Sequence, residues 1–146
     1  MKKLIFALII ISMLLISCGS NQSDNLLNQR FDALDQLFSQ METLEQDWYE
    51  NLKNENKFQN GKTIHDEYYD LCIKYHYQRE QFVNFLNSNP EALDSLTMEQ
   101  IEYVNEISWE NYETCIDNVN MMRTTLNEIY KQQLYTSVQK ESFTMV

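Results

Sequence analysis

Glycine and proline are nearly absent from this chain, with two glycines and one proline in 146 residues. Gly61 and Pro90 are the only examples beyond residue 19. Domains rich in β-hairpins, and loops that cradle phosphate, need glycine for tight turns and close backbone approach. Neither architecture suits this composition. Histidine is also scarce, with two residues, and no Gly-x-Ser-x-Gly, His-Glu-x-x-His or glycine-rich phosphate motif occurs. The sequence therefore reads as a non-enzyme, with no cofactor and no metal assigned. Positive charge is the third shortage: 11 basic residues face 22 acids, for a formal net charge of −11. Without a basic patch, nucleic acid is not an expected partner.

What is present begins with the first 20 residues, MKKLIFALIIISMLLISCGS. Lys2 and Lys3 precede an apolar run from Leu4 to Ile16, broken only by Ser12. At about 13 residues this run is shorter than the ~20 needed to span a bilayer, and it has the form of a secretory signal. Leu15-Ile16-Ser17-Cys18 resembles the lipobox of bacterial lipoproteins. That resemblance implies removal of residues 1–17, diacylglyceryl modification of Cys18 and anchoring in the cell envelope by lipid. Gly19 stands where enteric bacteria place an inner-membrane retention aspartate, which favours the outer membrane if the cell has two. Cleavage would also remove Lys2 and Lys3, leaving nine basic residues against 22 acids and a net charge of −13.

Residues 18–25 read as the lipidated cysteine and a polar tether, residues 26–135 as a helical bundle, and residues 136–146 as a tail of weak periodicity. Leu27, Leu34, Leu37, Met41, Leu44, Trp48 and Leu52 recur at helical spacing and predict a first helix from Leu26 to Asn56. Asn60-Gly61 reads as a turn, followed by a capping box at Thr63–Asp66. A second helix carries Ile64, Tyr68, Leu71, Tyr75, Phe82, Phe85 and Leu86, and ends near Asn87. Asn89-Pro90 opens a single turn through Leu93. Thr97-Met98-Glu99-Gln100 forms another capping box before a third helix of about 35–40 residues. Its inward positions are Ile101, Val104, Tyr112, Cys115, Val119, Met122, Leu126 and Ile129. The expected fold is all-α: an antiparallel three-helix bundle with long helices and coiled-coil-like packing.

Cys72 and Cys115 are nearly equidistant from the connection between the second and third helices, so an antiparallel hairpin brings them to one height. They either form a disulfide or pack as two reduced, small apolar side chains. His65 and His76 share a helical edge but stand about 16 Å apart along the axis, too far for one metal. His76 and Glu80 are four apart and would supply half a metal site, with no second half evident. The Glu-x-x-His pair of di-iron bundles is absent, because Lys62 and Ile73 stand three before the histidines. Arg79 falls on the buried arc, where it either reaches a carboxylate on another helix or extends its stem to water. Asp94-Ser95-Leu96 resembles a short O-glycosylation acceptor found on exported proteins of some Gram-negative bacteria.

Aromatic residues with polar tips are plentiful, and such residues are enriched at protein interfaces. Tyr69, His76, Tyr77 and Glu80 form the candidate contact patch, unless the aromatic residues are a half-buried rim of the core. These features point to a small membrane-anchored lipoprotein that binds an envelope protein, as an accessory subunit, an adaptor, or an immunity or exclusion factor. The alternative is a helical lipoprotein that holds a metal or small ligand. The lipid assignment is tested by metabolic labelling with a fatty-acid analogue. Labelling is expected in the parent and abolished by Cys18→Ala, whereas equal labelling in both would sink the assignment.

Overall fold

The computed structural model describes residues 20–144, with side-chain environments for residues 25–137. The leader and Cys18 lie outside the described residues. Five α-helices follow in order: α1 (Ser20–Asn51), α2 (Lys57–Ser88), α3 (Pro90–Asp94), α4 (Met98–Glu102) and α5 (Ser108–Thr144). A π-helical turn, Tyr103–Ile107, joins α4 to α5 without a break. Among the described residues there is helix and no strand. The three long helices α1, α2 and α5 form an all-α bundle, with α2 packed closely against both others.

The core follows a seven-residue rhythm. Leu27, Leu34, Met41 and Trp48 are buried on α1, Gly61, Tyr68, Tyr75 and Phe82 on α2, and Ser108, Cys115, Met122 and Ile129 on α5. A repeat of seven in a helix of 3.6 residues per turn is the pattern of coiled-coil packing. Partner contacts fix the alignment. Phe31 meets Phe82 edge-on at 4.8 Å between ring centres, and Phe38 lies 6.4 Å from Tyr75. α1 and α2 are therefore antiparallel, and α5 returns parallel to α1.

Cys72 and Cys115 meet between α2 and α5 with Cα atoms 6.0 Å apart, and the structure joins them as a disulfide. Met41 of α1 completes this layer, its Sδ lying 3.2 Å from Cys115 Sγ. A disulfide sulfur carries no proton, so this is a packing contact. By the loop-entropy argument, closing a loop of about 44 residues contributes about 4 kcal/mol.

Four local expectations meet a different outcome. α1 already covers Ser20–Asn25, the stretch read as a tether, because Leu27 and Phe31 anchor the helix and no glycine or proline interrupts residues 20–27. α1 ends at Asn51, and the turn falls at residues 52–56. There Asn51 Nδ2 donates to the Lys57 carbonyl at 2.8 Å. Asn60-Gly61 and Thr63 consequently lie inside α2, where the Thr63 hydroxyl donates back to the Gln59 carbonyl instead of capping. At the other end, α5 runs to Thr144, through the segment read as a weakly periodic tail. Its residues 131–137 are exposed, so helical hydrogen bonding rather than core packing sustains that stretch.

The Thr97 cap is present as read. Thr97 Oγ1 accepts from the Gln100 amide, and Gln100 Oε1 accepts from the Thr97 amide. Asn89-Pro90 likewise opens the short helix α3, although the Asn89 side chain turns back to donate to the Phe85 carbonyl.

Gly61 is a packing requirement. A Cβ at this position would lie 3.0 Å from Asn51 Nδ2 and 3.1 Å from both Leu126 Cδ2 and Trp48 Cζ3. The rigid indole cannot give way cheaply, so overpacking outweighs the gain in helix propensity. Gly61→Val is expected to destabilise the protein by about 1–3 kcal/mol in denaturant unfolding. The exposed neighbour variant Asn60→Val should stay within about 0.5 kcal/mol of the parent. Equal effects of the two substitutions would refute the close-approach explanation.

Candidate functional site

The α2–α5 seam gathers most of the polar and aromatic side chains that draw attention. Its register follows from three contacts: Cys72 with Cys115, His76 with Tyr112, and Arg79 with Ser108. The four residues of the expected contact patch divide into two pairs along this seam. Tyr69 and Tyr77 are 45% and 59% exposed, and Ile73 between them is 51% exposed. Spaced four apart, these three form one outward strip of α2. His76 and Glu80 turn toward the seam instead. The His76 ring stacks on Tyr112 with centres 4.3 Å apart and planes inclined by 17°. Glu80 Oε1 accepts from Arg79 Nη1 at 2.9 Å.

Arg79 does neither of the two things expected of it. Its side chain is 11% exposed, and its guanidinium is held inside the seam. Nε donates to Ser108 Oγ at 3.0 Å, and Cζ lies 4.9 Å from the centre of the Trp109 ring. The paired carboxylate is Glu80, the next residue on the same helix, rather than one on another helix. Charge pairing, a hydroxyl acceptor and a ring face together offset the cost of burying the cation.

Ser108 was not anticipated from sequence, yet it organises this corner. The π turn directs the Ser108 amide to the Tyr103 carbonyl, five residues back. The Ser108 hydroxyl then donates to the Val104 carbonyl at 2.6 Å while accepting from Arg79. A single buried hydroxyl thus serves both the widened turn and the guanidinium. Trp109 and Tyr112 follow it on α5, 5.7 Å apart between ring centres. This second row was not singled out from sequence; the three- and four-residue steps of Trp109, Tyr112 and Ile116 are the signal that would have found it.

Two of the hollows that border α2 or α5 lie near these side chains, and both are open to solvent. One, of about 450 Å³, lies on α5 among Trp109, Tyr112, Glu113, Ile116 and Asp117. The other, of about 390 Å³, lies between α1 and α2 and includes Gln40, Leu44, Asp70, Leu71 and Lys74. Among the described residues, no group of three His, Cys, Asp or Glu side chains is placed to share a metal ion. His65 is engaged by Asp66, with Nδ1 and Oδ1 3.0 Å apart. Ser95 ends α3, and its hydroxyl donates to the Ala92 carbonyl at 2.7 Å.

Three tyrosine hydroxyls tie the helices together near the core. Tyr68 accepts from Asn118 Nδ2 at 3.0 Å, and the same amide donates to Glu45 on α1 at 3.1 Å. Tyr75 accepts from Asn111 Nδ2 at 3.4 Å, and Tyr103 donates to Asp35 Oδ1 at 2.5 Å. Burial raises the pKa of all three phenols above the ordinary value of 10.0. For Tyr103, the hydrogen bond to Asp35 raises it further, because an ionised phenol could not donate and would face a carboxylate.

No family model matches the chain, and no curated protein or solved structure resembles it significantly.

The tyrosine shifts set a pH dependence. The phenols stay protonated in the folded chain beyond the pH at which they ionise in the unfolded chain. The unfolded state therefore binds fewer protons above pH 10, and this contribution to stability is present below pH 10 and falls as pH rises further. In denaturant titrations from pH 8 to 12, Tyr103→Phe should show a shallower alkaline decline than the parent. An unchanged slope would contradict the assignment to Tyr103.

Proposed function

We propose that the chain is a lipid-anchored envelope lipoprotein whose helical body binds another protein through the α2–α5 face. The observation that carries this reading is the exposed strip of Tyr69, Ile73 and Tyr77 beside Trp109, itself 40% exposed. Large apolar side chains on adjacent helices, with polar tips and charged neighbours, have the composition of a contact surface. The lipobox resemblance supplies the location, and Gly19 favours the outer membrane. With the anchor at Cys18, α1 would carry the strip about 25–35 Å from the lipid, at 1.5 Å per residue. That distance suits contact with a membrane-associated partner or with a molecule arriving at the surface.

The alternative, a metal or small ligand held near His76, has less support. The stack on Tyr112 engages the face of the His76 ring and leaves its nitrogens free, but among the described residues no group of three possible ligands surrounds it, and the adjoining hollow opens to solvent. Protein binding is tested in intact envelopes with a photo-cross-linking residue placed at Tyr77. The same residue at Gln36, exposed on the outer side of α1, is the control. A discrete adduct from position 77 and none from position 36 is the expected result. The absence of any adduct at position 77 would refute the reading.

A further inference from the structure

The chemistry of the α2–α5 face narrows the kind of partner, on the basis of the protein-binding reading above. Apolar area comes from both walls, with Ile73 and Tyr77 on α2 and Trp109 on α5. The stack of His76 on Tyr112 lies between them, in the seam. Exposed carboxylates accompany the α5 side of this area, Glu113 and Asp117 beside the hollow.

Positive charge on this face is confined to the end near Asp66, where Lys62 stands four residues before it on the same edge of α2 and Arg123 lies on α5. α5 has no lysine or arginine between Ser108 and Met122. On α2, Lys74 lines the hollow on the opposite, α1 side. Arg79 is buried and already paired with Glu80 and Ser108. The face is thus apolar along its middle and negative along the α5 edge at Glu113 and Asp117, on a chain whose net charge is −11. An acidic or neutral partner would leave these carboxylates uncompensated. A basic partner is both steered toward them and held by them.

The backbone decides the shape of the occupant. α2 and α5 keep their backbone hydrogen bonds internal, so they offer no edge for an added strand. Side-chain ridges on two packed helices instead form a groove that accepts a third helix, whose axis would lie about 8–10 Å away. From Tyr69 to Tyr77 the α2 strip is about 12 Å long, a little over two helical turns. That length matches an apolar stripe with anchors at i, i+3 or i+4, and i+7.

We propose that this face receives a basic amphipathic helix of a partner protein. Its apolar stripe lies on Ile73, Tyr77 and Trp109, and its lysines or arginines meet Glu113 and Asp117.

The test uses the full lipidated chain in intact envelopes, with the photo-cross-linker at Tyr77. The captured segment is sequenced by mass spectrometry. It should be net positive, with apolar residues at helical spacing. The pair Glu113→Lys and Asp117→Lys should lower adduct yield about tenfold. Asp32→Lys with Gln36→Lys on α1 should leave the yield within about twofold. Glu113→Gln with Asp117→Asn repeats the test without charge reversal and should give an intermediate loss. Helix content of each purified variant is checked by circular dichroism, so that misfolding is not mistaken for lost binding. A captured segment that is acidic, extended or a second copy of this chain overturns the helix proposal while leaving protein binding intact. Yield indifferent to the Glu113 and Asp117 substitutions does the same. No adduct at all overturns both.

Discussion

The close approach of α2 and α5 at Cys72 and Cys115 is the constraint on which the rest of the bundle depends. Cα atoms 6.0 Å apart leave little freedom to slide one helix along the other. With that height set, His76 falls opposite Tyr112 and Arg79 opposite Ser108. A shift of one helical turn would break both contacts, leaving the Arg79 cation buried without its hydroxyl acceptor. Met41 ties the same layer to α1, so a single level of the molecule aligns all three long helices. Gly61 performs the complementary task near the α1–α2 turn, where the absence of a side chain lets α2 approach Trp48 and Leu126.

The π turn at Tyr103–Ile107 is where the long C-terminal helix departs from uniform geometry. Widening a turn rotates the residues before it relative to those after it. The backbone there gives up a regular hydrogen bond at the Val104 carbonyl, and the Ser108 hydroxyl takes its place. Tyr103 meanwhile reaches Asp35 of α1 and stacks edge-on against Phe31. The irregularity is therefore satisfied on both sides, by Ser108 toward Arg79 and by Tyr103 toward α1.

Much of the fold was legible because helices write their burial into residue spacing. Trp48, Tyr75, Cys115 and Met122 lie in the core, where periodicity placed them. The first turn was misplaced for a physical reason: glycine can signal either a chain reversal or a close helix crossing. Only the positions of Trp48 and Leu126 distinguish the two at Gly61, and those are tertiary facts. Polarity misled in the same way at Ser20–Asn25, since helix growth from a buried anchor overrides a locally polar sequence. In the candidate site, Tyr69 and Tyr77 were legible as outward residues of α2. The engagement of His76 and Glu80 was not, because it depends on Tyr112 of the facing helix and on the conformation of the buried Arg79. Ser108 left no signal, since a lone serine in a helix looks like any solvated position.

Burial of Arg79 has a consequence for the chemistry of the α2–α5 face. An exposed arginine there would neutralise part of the carboxylate field and present its own cation to an arriving molecule. Held at 11% exposure beneath Trp109, it supports the indole while its charge is matched by Glu80. What reaches solvent is the aromatic strip and the unpaired acids of α5. The same contacts that stabilise the seam thus keep the Arg79 charge inside, while Glu113 and Asp117 stay outside. Along its α5 edge such a face attracts cationic side chains, and its apolar centre requires that those cations come with apolar neighbours. A regularly spaced helix is the simplest chain conformation that presents both at fixed intervals, and α2 and α5 already supply two walls of the groove that would hold it.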